Sequence, residues 1–374
     1  MRKKTRFHYF FLLSAIFVLH ACRYSDISEL LSPMNDTTKL WPAYDTENHL
    51  FGYIDANGEM KIEGQFLSAS TFSCGTARVQ LPDQSYGYID KQGLLLTSGL
   101  LTAEQHYENL AAATTATQVG YINQQGRWCI VLANNTTTFS PSNFSPDKTA
   151  LLTPISKGDF LFIDKTGKTI LALSKEKADF ADNFKESLAR FRKNSLYGYI
   201  NVSGEVAIPA KYQFADDFHH GFAMVKTDDY ATFINKRGEL IGATFDNAKA
   251  FSNEMLAPVC KNQKWGYADT LGNVRINFSY DYAYPFYEHL AVVSQNKKFG
   301  AIDKNGTIII PIAYDGIQGC FHNGLILTYT VSSDSAIFSY LNTDNTIVYQ
   351  WKQKRNSVSS AIAPSSHFIL SLDE

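Results

Sequence analysis

The stretch Gly198-Tyr199-Ile200-Asn201-Val202-Ser203-Gly204-Glu205-Val206-Ala207-Ile208-Pro209-Ala210-Lys211-Tyr212 decides the fold, together with Phe218-His219-His220-Gly221-Phe222-Ala223-Met224-Val225 just after it. Its first four residues return along the chain, each time with a turn that ends in Gly. Copies begin at Gly52, Gly87, Gly120, Gly198, Gly266 and Gly300, with altered first residues at Leu161, Thr232 and Ser339. The steps are 35, 33, 41, 37, 34, 34, 34 and 39 residues. A fixed period of this size is the mark of a repeat architecture.

Two more landmarks keep the same period. An aromatic residue follows 13 or 14 positions later, at Phe66, Tyr212, Phe245, Tyr280 and Tyr314. A Phe comes six or seven positions after that, at Phe72, Phe184, Phe218, Phe251, Phe286 and Phe321, with Tyr107 and Phe144 filling the gaps. A short apolar run such as Leu290-Ala291-Val292-Val293 closes the unit. Short aromatic and β-branched runs suit a half-buried pleated surface. Asn201-Val202-Ser203-Gly204 is hairpin chemistry: the side-chain oxygen bonds the loop backbone, and Gly takes positive φ without a Cβ penalty. Pro209 and Pro311 are expected to end their strands, since Pro donates nothing to a ladder. Gly in the first position allows close approach of a neighbouring backbone. Ser174 to Ala189 is the best helical candidate.

The expectation is all-β: about nine tandem three-stranded meanders of ~34 residues across 40–350, with a C-terminal cap or tail at 351–374. A propeller-like ring and an open β-solenoid both fit. One unit cannot bury its aromatic face alone, and stacked units can. The 26 Phe and 21 Tyr therefore read mainly as core. Repeats three and four should be irregular, with a loop within Asn134 to Asp159.

The N-terminus reads as a targeting segment. Arg2, Lys3, Lys4 and Arg6 precede the apolar run Tyr9 to Leu19, which is shorter than the roughly 20 residues that span a bilayer. Leu19-His20-Ala21-Cys22 resembles a bacterial lipobox, so 1–21 is expected to be a signal peptide and Cys22 the lipidated residue. The competing reading is an ordinary secretory signal cut near Ala21. Residues 22–39 read as a tether. Acyl chains anchor at roughly 0.8 kcal/mol per buried CH2. Without the four leader cations, the 34 basic and 36 acidic residues become 30 and 36; no basic block remains, which argues against nucleic acid. Besides Cys22, the thiols are Cys74, Cys129, Cys260 and Cys320, at no zinc-site spacing. Cys74 and Cys320 both lie beside the third landmark, of an early and a late repeat, and would approach only in a closed array.

With these landmarks in place, the chain resembles the WG-repeat (KWG-repeat) family of bacterial proteins. Trp265-Gly266-Tyr267 is the literal Trp-Gly; Tyr197-Gly198, Tyr86-Gly87, Phe51-Gly52 and Phe299-Gly300 substitute another aromatic. Ile208-Pro209 with Tyr212 and Ile310-Pro311 with Tyr314-Asp315 match the middle of the repeat. Phe218 to Ala223 and Phe321-His322-Asn323-Gly324-Leu325 match its end. The resemblance implies an exported or envelope-associated protein that binds or scaffolds, and it brings no catalytic residues.

Motifs that would carry chemistry are sparse. Asp216-Asp217-Phe218-His219-His220 is the densest set of candidate ligands, yet adjacent residues on an extended segment point to opposite sides. Asp216, Asp217, His219 and His220 are therefore taken as a candidate binding loop; no catalytic, metal or cofactor residue is assigned. Asp55-Ala56-Asn57-Gly58 lacks the acidic run and distant Glu of a calcium loop. The leading expectation is a lipid-anchored, non-enzymatic binding or scaffolding module for protein or glycan, in the outer membrane or at the cell surface. An envelope glycan hydrolase using loop carboxylates and a passive spacer are the alternatives.

Overall fold

The computed structural model describes residues 39–133, 139–155, 158–174 and 177–354. The expected leader, Cys22, nearly all of the tether and residues 355–374 lie outside them. The described chain forms nine antiparallel sheets that follow one another in sequence, one with three strands and eight with four. Together they are the blades of a nine-bladed β-propeller. This selects the ring among the two arrangements open to the sequence.

Each blade uses the repeat in a shifted frame. Blade 6 comprises Phe214–Ala215, Phe222–Lys226, Ala231–Asn235 and Leu240–Phe245, hydrogen-bonded in that order. Its two-residue first strand is what the sequence hid. The chain finishes blade 5 at Tyr212, crosses through Gln213, and pairs in blade 6 from Phe214. Two residues show no period, so three strands per unit were legible and the fourth was not. The prolines also behave differently from the expectation. Pro209 and Pro311 lie inside Val206–Tyr212 and Ile308–Tyr314. Both are edge strands, and the register shifts beside each Pro, so no ladder bond is lost.

The expected helix at Ser174 to Ala189 is overturned. Phe180–Lys185 and Leu188–Lys193 are strands of blade 5. Lys, Glu and Ala give the stretch helical propensity, which is a weak prior beside burial. As a hairpin it turns Ala181, Phe184 and Ala189 into one core.

Three devices in the repeat build this architecture. The first is the hairpin turn. In all nine units the Asp or Asn side-chain oxygen accepts the backbone N–H groups two and four residues on; for Asn201 the donors are Ser203 and Glu205, both at 3.0 Å. The second is the leading Gly. A Cβ on Gly198 would lie 2.5 Å from the Ile208 carbonyl oxygen and 2.7 Å from the Ala210 nitrogen. The outer strand bulges into that space, and the register shifts there. Where Leu161 and Ser339 replace Gly, pairing runs through without the shift.

The third device joins the blades. The Tyr after the Gly is buried and meets the landmark Phe of the next blade: Tyr199 to Phe218 and Tyr267 to Phe286 are 4.8 and 4.9 Å apart between ring centres. Its hydroxyl donates to a next-blade carbonyl: Tyr53 to Ser70 at 2.9 Å, Tyr121 to Ser142 at 2.7 Å, Tyr199 to Asp216 at 2.6 Å and Tyr267 to Tyr284 at 2.8 Å. The core accordingly lies between blades, as in the cluster of Tyr199, Ile208 and Tyr212 with Ala215, Phe218 and Val225. In blade 3 the ring partner is His106, 4.5 Å from Tyr88. Tyr107, expected in that slot, is 43% exposed, whereas His106 is 1% exposed.

The ring closes by packing blade 9 on blade 1. Trp41, Ala43 and Ile54 share a core with Leu325, Phe338, Tyr340 and Trp351. Blade 9 comprises Gly316–His322, Leu325–Val331, Ser335–Asn342 and Ile347–Lys354, so residues 351–354 belong to its last strand. Although the ring is closed, Cys74 and Cys320 form no disulfide, and neither do Cys129 and Cys260.

Candidate binding face

One position in each unit is held by the frame while its side chain varies. It follows the conserved-size Ala that ends most of the first strands. At Ser70, Glu104, Ser142, Asp216 and Tyr284 its carbonyl receives the landmark Tyr hydroxyl, and its N–H bonds the second strand, as in Asp216 N–H to Met224 O at 2.8 Å and Tyr284 N–H to Val292 O at 2.9 Å. The occupants are Ser70, Glu104, Ser142, Asp182, Asp216, Lys249, Tyr284 and Gln318. A rigid backbone with a free choice of side chain is how a scaffold presents a recognition surface.

Blades 5 to 8 place charge and aromatic rings together along this register. Arg190, on the second strand of blade 5, donates through Nη1 to Ala215 O at 2.7 Å. Its Nη2 lies 2.5 Å from Asp182 and its Nε 2.8 Å from Asp217, whose other oxygen is 2.5 Å from Lys185 Nζ. Burial works against the Arg190 charge, and Asp217 and Asp182 more than restore it. Asp216 stands behind this pair. Burial raises its carboxyl, with Arg190 opposing and Asp217 adding to the rise.

Next along the register, Lys249 points into an aromatic cage. Its Nζ is 3.6 Å from the centre of the Tyr282 ring, 4.1 Å from Tyr284 and 5.2 Å from Trp265. Burial pulls its amine down to about 7, against the pull of Asp216 in the other direction. The three ring faces also favour the ammonium.

The expected loop is thus divided. Asp216 and Asp217 join the charged cluster. His219 is half-buried, pairs by its backbone with Phe222, and is pushed down by burial and by Lys185. His220 is exposed in the left-handed region at φ 55°. The four do not converge, because the Phe218 ring turns inward between them. Sequence reading missed Arg190, Lys249 and Tyr284, since only the crossing between sheets brings them together. For Lys249 and Tyr284 the signal was departure from the repeat at one fixed position; Arg190 lies on the second strand, outside that position.

A second concavity lies at the seam. Blade 1 comprises only Trp41–Asp45, Leu50–Ile54 and Met60–Phe66. In blade 9 the last strand stays paired through Lys354 and does not cross over. The place of a first strand on blade 1 borders a cavity of about 220 Å³, walled by Trp41, Leu325, Phe338 and Trp351 and reached by Thr71, Gln105 and Gln318.

Comparison with known proteins settles the family. The WG containing repeat matches residues 51–81, 197–230, 232–265, 265–299 and 299–328. The chain belongs to the WG-repeat family. No curated protein matches the sequence significantly. Among solved structures, this WG-repeat propeller is similar to a eukaryotic initiation factor at 10% identity and TM-score 0.59, over 85% of this chain and 96% of that one. BamB from Moraxella catarrhalis aligns at 9% identity and TM-score 0.41, over 86% and 98% of the two chains. A virginiamycin B lyase from Staphylococcus aureus, in an inactive form crystallised with quinupristin, aligns at 14% and 0.37, over 67% and 93%. At 10% identity, the likeness to the initiation factor shows the fold alone.

Proposed function

We propose that this WG-repeat propeller is a non-enzymatic binding scaffold, lipid-anchored through Cys22 at the outer membrane or cell surface, and that it engages a protein. The observation that carries the reading is the register running from Asp182 through Asp216 and Lys249 to Tyr284. With Arg190 and Trp265 packed against it, it combines Arg, Tyr and Trp with carboxylates on rigid backbone, a composition enriched in the residues that carry binding energy in protein interfaces. The leader cations and Leu19-His20-Ala21-Cys22 support export and anchoring.

Affinity capture from solubilised envelope tests the reading. The wild-type chain should retain a discrete protein, and Arg190→Ala and Tyr284→Ala should each release it from chains whose circular dichroism still shows the folded β-structure. Retention by both variants, or capture of nothing above background, contradicts it. Capture of glycan alone would move the partner to the other class that fits an aromatic face.

A further inference from the structure

Lys249 differs from the other cations of its neighbourhood. Lys185 and Arg190 are paired with carboxylates at 2.5 to 2.8 Å. The Lys249 ammonium instead faces three rings, Tyr282, Tyr284 and Trp265. Asp216 is the carboxylate whose charge acts on it, from the blade before. Lys249, Tyr282 and Tyr284 are each partly exposed. Its N–H to Pro258 O bond at 2.9 Å fixes the backbone, which leaves the side chain as the moving part.

We propose that Lys249 is a covalent carbonyl-binding site, its amine forming an imine with aldehydes that carry a planar aromatic group. A lysine desolvated among apolar walls is the setting in which an amine becomes a nucleophile. The Nζ lone pair attacks the carbonyl carbon, a C–N bond forms, and the carbonyl oxygen becomes a hydroxyl. One N–H proton passes to that oxygen, the hydroxyl leaves as water with a proton taken from solvent, and the remaining N–H proton returns to solvent as the C=N bond is made. No oxidant or reductant is needed. The Tyr282 and Tyr284 faces then stack against the ligand ring in place of the ammonium they hold in the free protein. Burial, which lowers the amine to about 7, agrees with this chemistry. The site is independent of protein capture by the same face.

Reductive trapping tests it. The purified full-length chain is treated at pH 7 with benzaldehyde and, separately, acetaldehyde, each with cyanoborohydride, and labelled lysines are mapped by mass spectrometry. A fully exposed amine near 10.4 is neutral in only about one molecule in 2,500 at pH 7, so Lys249 should label at least about tenfold faster than exposed Lys352. Benzaldehyde should show the larger excess, and Tyr284→Ala should reduce it. Labelling of Lys249 no faster than Lys352 in the wild-type chain overturns the proposal. So does equal preference for the two aldehydes, which would leave reactivity without a ligand site.

Discussion

The Tyr340 hydroxyl donates to the Pro42 carbonyl at 2.8 Å, joining residues 298 apart in sequence. Elsewhere the landmark Tyr reaches the carbonyl just after a first strand, and the N–H of that same residue bonds the second strand. Blade 1 has three strands, and Pro42 lies on its first described one, so Tyr340 bonds the second-strand carbonyl directly. Trp41 fills further space there and donates its indole N–H to His322 O at 2.6 Å. The seam is therefore closed by side chains rather than by a shared sheet.

That closure has a measurable cost when broken. Trp41 is 1% exposed, so Trp41→Ala should destabilise by about 3–5 kcal/mol. Tyr340→Phe should cost about 1 kcal/mol, or somewhat more with Pro42 O left unbonded. Urea unfolding of the two variants checks both values.

The leading Gly predicts an asymmetry between blades. Gly198→Ala places a Cβ 2.5 Å from backbone oxygen and should cost at least about 2 kcal/mol, in the upper range for single changes. Ser339→Ala, in a blade that pairs without the shift, should cost less than about 1 kcal/mol. Equal losses in chemical denaturation would refute the steric account.

His106 makes the ring acid-sensitive. Burial lowers its imidazole to about 4, against the carbonyls of Asn123 and Ile122. The unfolded chain binds this proton near 6.5 and the folded chain does not until about 4. Stability from this group is therefore complete above 6.5 and is lost as pH falls from 6.5 to 4, by about 3 kcal/mol in all. His106→Phe restores the usual ring and should flatten the melting temperature across that window, at the expense of the 2.7 Å contact with Thr76 Oγ1.

Much of this frame was readable before any coordinates. Glycine, Asp or Asn, Tyr and Phe recur because each does one local job, at a bulge, a turn and a blade contact, and local jobs leave periodic traces. His106 escaped notice because imidazole fills a Phe site without resembling it. Trp351 escaped because pairing without a bulge shortens the ninth unit: it faces Phe338 as Tyr314 faces Phe299. The candidate register was invisible for the opposite reason. Its residues share a place in the ring and nothing in chemistry, so only the fold relates Asp216 to Lys249 and Tyr284.

We propose that a protein docks on this register. A photo-crosslinking phenylalanine at Tyr284 and, as a control, at exposed Leu240 on an outer strand tests it in intact cells. The claim predicts one discrete protein adduct from position 284, lost on Arg190→Ala, and none from position 240. Adducts from 240 alone, or the same adducts from both, would contradict it.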